Sequence, residues 1–247
     1  MPVYRSAARW AYTGDSRRTT SADPRLAVLP WLEKTRSGLP PLKESWAITA
    51  KSGSAARSAA IATLVLTVGQ LLVASFATGL PQFTGKGFGA RLVAYPLLML
   101  AVPVAWALHR RSHPSSEPLP WAGFALIMAP FLIDVTGNTL NLYDSLAWWD
   151  DANHLVNWFL LCAGIGILLL PARITPTWAL GWLVAGVGAL LAIGWELAEW
   201  YAFIRHGTEL DTAYQDTLGD QALGTLGAAL AGALVGRRST STPTRPC

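Results

Sequence analysis

Six apolar runs alternate with short polar segments along the chain, at roughly 57–80, 90–109, 119–140, 154–171, 176–202 and 216–236. About 20 consecutive apolar residues in a helix cross the hydrocarbon core of a bilayer. The pattern therefore predicts an all-α, polytopic membrane bundle of about six transmembrane helices. Residues 1–54 lack any such run and carry Pro2, Pro24, Pro30, Pro40 and Pro41, which interrupt long helices. They are expected to form a mostly disordered basic tail, ahead of a membrane domain at 55–236 and a short polar tail at 237–247. Pro96, Pro103 and Pro130 fall inside spans and predict kinks, with Pro130 one turn before Asp134.

Composition agrees: 52% hydrophobic and only 14% charged residues exclude an ordinary soluble domain. Charge adds orientation, because Lys and Arg gather on the cytoplasmic side of short flanking loops. Ten of the 19 bases precede or open the first span, and Arg110, Arg111, Arg173, Arg237, Arg238 and Arg245 fall on the same side of a six-span chain. Only Lys86, Arg91 and Arg205 are left opposite. Both termini are thus expected in the cytoplasm, in a bacterial inner membrane. This asymmetry accounts for the basic balance, and no zinc-finger spacing or other nucleic-acid signature accompanies it. The polar start and the length of the first apolar run make a cleavable signal peptide unexpected. Cys162 lies within a span and Cys247 in the last tail, so neither a disulfide nor a metal box is expected.

The spans also carry acids, which cost at least about 2.5 kcal/mol each at mid-bilayer and so normally face the bundle interior. Following the topology, Asp134, Glu196 and Glu199 sit near the outer ends of the third and fifth spans. Asp150, Asp151 and His154 open the fourth, and Asp216 and Asp220 open the sixth. Four spans therefore bring polar groups to one level. Small residues mark the packed side of membrane helices. Gly181, Ala185, Gly188, Ala192, Glu196 and Glu199 form one such stripe, and Asp216, Asp220, Gly224, Gly227 and Ala231 another; Gly232 and Gly236 add a GxxxG spacing suited to helix association or an oligomer. Asp134 shares a face with Asn138, and Asp150 with His154 and Asn157.

Ten acids face three bases at that level, so arginine pairing cannot neutralise them all. The site is expected to hold protons or a divalent cation. Oxygen-rich coordination with one imidazole suits Mg, Mn or Ca and tolerates Zn. Asp144, Glu209 and Asp211 read as solvated loop acids. No P-loop, HExxH, nucleophile elbow or dinucleotide fingerprint occurs, and no organic cofactor is expected.

The succession "WDDANHLVNWF", "GWELAEWYAF" and "DTAYQDTLGDQALGTLGA" resembles the YjdF-like family of uncharacterised bacterial inner-membrane proteins over residues 130–236. There is a looser likeness to VanZ-like proteins. The resemblance implies a polytopic inner-membrane protein with Asp150, His154, Glu196, Glu199, Asp216 and Asp220 at the matching positions, and it implies no activity. Three functions stay open: metal-dependent chemistry on a lipid-linked or phosphorylated substrate, proton- or cation-coupled transport, and a structural cation clip in a scaffold. Phosphate recognition usually recruits Arg or Lys, and from the sequence only Arg205 stands near.

Overall fold

A computed structural model of the chain describes residues 42–77, 79–114, 118–205 and 212–240. The helices are α1 (Leu42–Phe76), α2 (Phe88–Ser112), α3 (Trp121–Thr139), a single turn α4 (Leu142–Ser145), α5 (Trp149–Leu169), α6 (Thr177–Glu199) and α7 (Ala213–Thr240). Among the described residues, six stretches are long and apolar enough to cross a membrane: Gly53–Phe76, Phe88–Ser112, Trp121–Thr139, Trp149–Ala172, Thr177–Glu199 and Ala213–Arg238. They coincide with the six apolar runs of the sequence, and the fold is all-helical.

Two boundaries differ from the expectation. Helix α1 begins at Leu42, so residues 42–54, read as part of the tail, are helical. Pro41 ends the proline-rich stretch, and no further proline stops the helix before Phe76. Residues 1–41 lie outside the described residues, as do Glu209 and Asp211. After Glu199 the α-helix gives way to a π-helical turn, Trp200–Ile204, in which the Arg205 amide donates to the Trp200 carbonyl.

The glycine stripes set how closely the helices approach. A side chain at Gly232 would strike the Gly181 carbonyl, and one at Gly188 would strike Ala228 and Cys162, so α6 and α7 touch nearly backbone to backbone. Gly227 of α7 faces the Leu155 carbonyl of α5, and Gly164 of α5 faces Gly123 of α3 in the same manner. The glycine and alanine positions of the stripes read from the sequence lie on the packed faces, whereas Asp216, at the head of the second stripe, is exposed because it sits in the first turn of α7. Leu180, Val184, Cys162, Ala228, Ala231 and Val235 form an apolar core among α5, α6 and α7. Helix α3 packs on α5, and α2 on α3. Leu71, Ala74, Phe88, Tyr95 and Val135 make a second core joining α1, α2 and α3.

These directions bring the ends of α1, α3 and α6 and the starts of α2, α5 and α7 to one end of the bundle. The intramembrane acids all lie there.

Candidate functional site

The first turns of α5 carry Asp150, His154 and Asn157 on one helical face, directed into the bundle by their i, i+4 and i+7 spacing. Asn153, on the same side and 5% exposed, donates to the Trp149 carbonyl and accepts from Asn157 Nδ2 at 3.1 Å. This amide ladder braces the turn that presents the imidazole.

His154 is the centre of a carboxylate ring. Its Nε2 lies 3.8 Å from Asp150 Oδ1 and 3.5 Å from Asp220 Oδ1, and its Nδ1 lies 3.6 Å from Glu196 Oε1. Glu196 and Asp220 are each only 5% exposed, although both are carboxylates. Each sits at the head of a small-residue stripe: Glu196 one turn beyond Ala192, and Asp220 one turn before Gly224, whose missing Cβ admits Trp158 and Ala192. The close α6–α7 packing carries both acids to the same histidine. His154 Nδ1 is buried and has no hydrogen-bond partner, since 3.6 Å is too long for one. One ligand atom each from Asp150, His154 and Asp220 lies within 4.8 Å of the others.

Beside this ring opens a cavity of about 550 Å³. Glu199 and Asp216 line it with Asp150 and His154, as do Lys86, Arg91, Asp134 and Asp144. Asp216 is exposed and Glu199 half-buried. Neither belongs to the three-residue group around His154 Nε2.

Asp134 has a different environment from the other acids. Arg91 Nη1 and Tyr95 donate to its Oδ2 at 2.8 and 2.6 Å, and Tyr143 donates to its Oδ1 at 2.8 Å. Asn138 Nδ2 donates to its backbone carbonyl at 3.0 Å. Across the mouth, Lys86 pairs with Asp144 at 3.0 Å. Two of the three bases at this level are thus committed to Asp134 and Asp144. The third, Arg205, stacks on the Tyr201 ring at 3.6 Å. The sequence put only Arg205 near the acids; the fold instead brings Arg91 and Lys86 to the cavity, because α2 starts at the same level as α5 and α7. Burial, and then the charge of Asp134, hold the Tyr143 phenol well above the ordinary tyrosine range.

Of the sequence candidates, Asp150, His154, Glu196 and Asp220 come together, Glu199 and Asp216 line the cavity with Asp150 and His154, and Asp134, which also lines it, forms an ion-paired cluster with Arg91 and Asn138. Tyr95, Tyr143 and Asn153 were missed. A tyrosine hydroxyl within or beside a span needs a partner when buried, which is the signal that singles out Tyr95.

Residues 60–241 match the family model described as "Predicted membrane protein (DUF2238)", a stretch that contains the region resembling YjdF-like proteins. No curated protein and no solved structure is detectably similar to the chain.

Proposed function

The chain belongs to the DUF2238 family of predicted membrane proteins, and on that premise we propose that it holds a divalent cation at one end of its helix bundle. The observation that carries this reading is the convergence of Asp150, His154 and Asp220 on one point beside a polar cavity. Ligand atoms about 2.0–2.2 Å from one ion lie roughly 3.0–3.6 Å from each other at tetrahedral or octahedral angles. The His154 Nε2 separations of 3.5 and 3.8 Å are too long for strong hydrogen bonds and fall near that ligand spacing.

The donor set is one imidazole with carboxylates, which suits Mn, Zn, Mg or Ca rather than a thiolate-loving metal. A cation bound to Nε2 would leave Nδ1–H directed at Glu196, whose carboxylate then orients the ring, as metal-binding histidines generally require. The buried, unpartnered Nδ1 supports this division of labour. Two buried carboxylates and a buried imidazole without a cation are costly; with one, the charges are compensated.

When bound, such a cation supplies Lewis acidity toward a carbonyl or phosphoryl oxygen. The chain's own part is to hold it, to orient His154 through Glu196 and Asn153, and to limit water around it with Trp158 and Ile204. Transport is the weaker reading. The core of Leu180, Val184, Cys162 and Ala231 lies directly along the bundle from the site and offers a proton or cation no polar step. The Lys/Arg bias of the loops supports a site on the outer face of a bacterial inner membrane, with both termini cytoplasmic; reporter fusions at Gly207 and Cys247 test that reading. The site itself is tested by elemental analysis of the purified protein, followed by thermal shift with Mn, Mg, Ca and Zn. Bound metal and a saturable rise in Tm with at least one ion are expected. No metal and no shift with any of the four would overturn the reading.

A further inference from the structure

The cavity next to the His154 ring changes character with depth. At the end of the bundle its wall is charged, with Asp134, Asp144, Asp150, Glu199 and Asp216 beside Lys86 and Arg91, the first two acids being paired with the two bases. Farther in, one to three turns along α3 and α5, it is lined by Phe131, Pro130, Trp158 and Leu161. Exposed Trp148, Trp200, Tyr201 and Tyr214 lie at the charged level, and Trp195, which lines the cavity, is itself 36% exposed at its rim. Amphipathic aromatic rings collect at the headgroup level of a bilayer. The charged part of the cavity is therefore at headgroup depth, and its apolar floor points toward the hydrocarbon.

A soluble ion has no use for such a floor. An amphiphile matches it from end to end. A cavity of about 550 Å³ holds a drug-sized group, enough for a headgroup and the first part of a chain but not for a whole two-chain lipid. The remaining methylenes must stay in the bilayer, which requires a side opening. Helices α2 and α6 both line the cavity yet share little or no packing, because α2 rests on α3 while α6 rests on α7 and α5.

We infer that the cavity binds the phosphate-bearing headgroup of a membrane glycerophospholipid, which enters from the bilayer between α2 and α6. This rests on the cation reading above. The phosphate oxygen is the hard anionic ligand that a carboxylate- and imidazole-held divalent ion accepts. Asn157 Oδ1, buried in the lining without a hydrogen-bond partner, accepts from a headgroup hydroxyl. The first methylenes lie against Phe131 and Leu161.

The full-length protein in detergent, with and without saturating Mn, tests this by thermal shift with three probes that share a headgroup: dioctanoyl phosphatidylglycerol, its dihexanoyl analogue, and glycerophosphoglycerol. Binding is expected to be Mn-dependent and to strengthen by roughly fourfold for each methylene that enters the cavity. The headgroup alone should be the weakest. Leu161→Gln, and independently Phe131→Ala, should reduce the chain-length effect while leaving the Mn shift in place. A chain-length effect of the same size without Mn, or in both variants, would mark ordinary annular lipid and overturn the proposal. So would equal binding of glycerophosphoglycerol, which would mark a soluble phosphate ligand. An Mn shift with no lipid effect sinks this inference and leaves the cation site standing, whereas loss of the Mn shift itself sinks both.

Discussion

Arg91 and Asp134, on neighbouring helices and 2.8 Å apart, neutralise each other at the edge of the cavity, with Tyr95 and Tyr143 supplying further donors to the same carboxylate. Both side chains are under 20% exposed, so neither charge has water as a substitute partner.

Removing one partner should therefore be costly. Asp134→Asn removes the carboxylate that Arg91 Nη1 meets at 2.8 Å and is expected to destabilise the protein by about 3–5 kcal/mol. The double variant Asp134→Leu with Arg91→Met removes both charges and should recover much of that loss. Divalent-cation binding should survive in both, because Asp134 does not belong to the His154 group. Thermal denaturation in detergent, with and without Mn, measures the two effects separately. Equal instability of the single and double variants would refute the ion-pair account.

The division between Asp134 and the other acids was not legible in the sequence. The hydrophobic pattern gave the six spans, and the small-residue stripes gave the inward faces of α6 and α7, because glycine spacing directly limits how near two helix backbones come. Those two features were sufficient to gather Asp150, His154, Glu196 and Asp220. Which acid meets which base depends on the neighbours of α2, whose alanine stripe of Ala90, Ala94, Ala101 and Ala105 is exposed and so does not mark its packed face. Arg91 therefore read as one distant positive charge among many acids. Likewise, nothing in the composition of residues 42–54 distinguishes a polar helix from a disordered tail once the last proline has passed.

Helix contacts make a second prediction. Gly227 packs against the Leu155 carbonyl so closely that an added methyl has no room. Gly227→Ala should force α5 and α7 apart and cost about 1–3 kcal/mol. Gly186, on the outer side of α6, has nothing within 4 Å of an added Cβ. Gly186→Ala should be neutral or stabilising by up to about 1 kcal/mol, from helix propensity alone. Chemical denaturation of the two variants checks the contrast, and a similar cost at both positions would contradict the packing assigned to the stripe.

Tyr143 gives a prediction in alkali. Its phenol is held protonated in the folded protein above the ordinary value of about 10, which applies when the chain unfolds. Between those two values the unfolded state binds fewer protons than the native state, so stability falls as pH rises, by up to about 1.4 kcal/mol per pH unit for one group. The contribution is fully present below pH ~10 and lost above it. Tyr143→Phe should be less stable than wild type at neutral pH, through the lost hydrogen bond to Asp134, yet lose stability less steeply above pH ~10. Parallel slopes for the two proteins would show that Tyr143 ionises freely in the native state.

The His154 ring gives the final prediction, because its members should not be equivalent. Saturating metal at a hundredfold excess over Kd stabilises a folded protein by about 2.7 kcal/mol. His154→Ala, Asp220→Asn and Asp150→Asn remove atoms from the group within 4.8 Å, and His154→Ala and Asp220→Asn should abolish most of that gain. Asp150, with its side chain 45% exposed, is the most easily replaced by water and should be the mildest of the three. Glu196 faces Nδ1, whereas Asp150 and Asp220 face Nε2, the nitrogen proposed to bind the cation. Glu196→Gln should keep the metal while weakening it by about 10–100-fold, the usual effect of losing the group that orients a metal-binding imidazole. Asp144→Asn, whose partner is Lys86, should leave affinity unchanged. Because the carboxylates must be ionised and the imidazole neutral to bind, affinity should fall as the solution is made acid, with protons released on binding. Isothermal titration in two buffers of different ionisation enthalpy reads both affinity and proton release. A Glu196→Gln protein that binds no metal at all would make Glu196 a direct ligand through a rotated His154, and one that binds as tightly as wild type would remove Glu196 from the site.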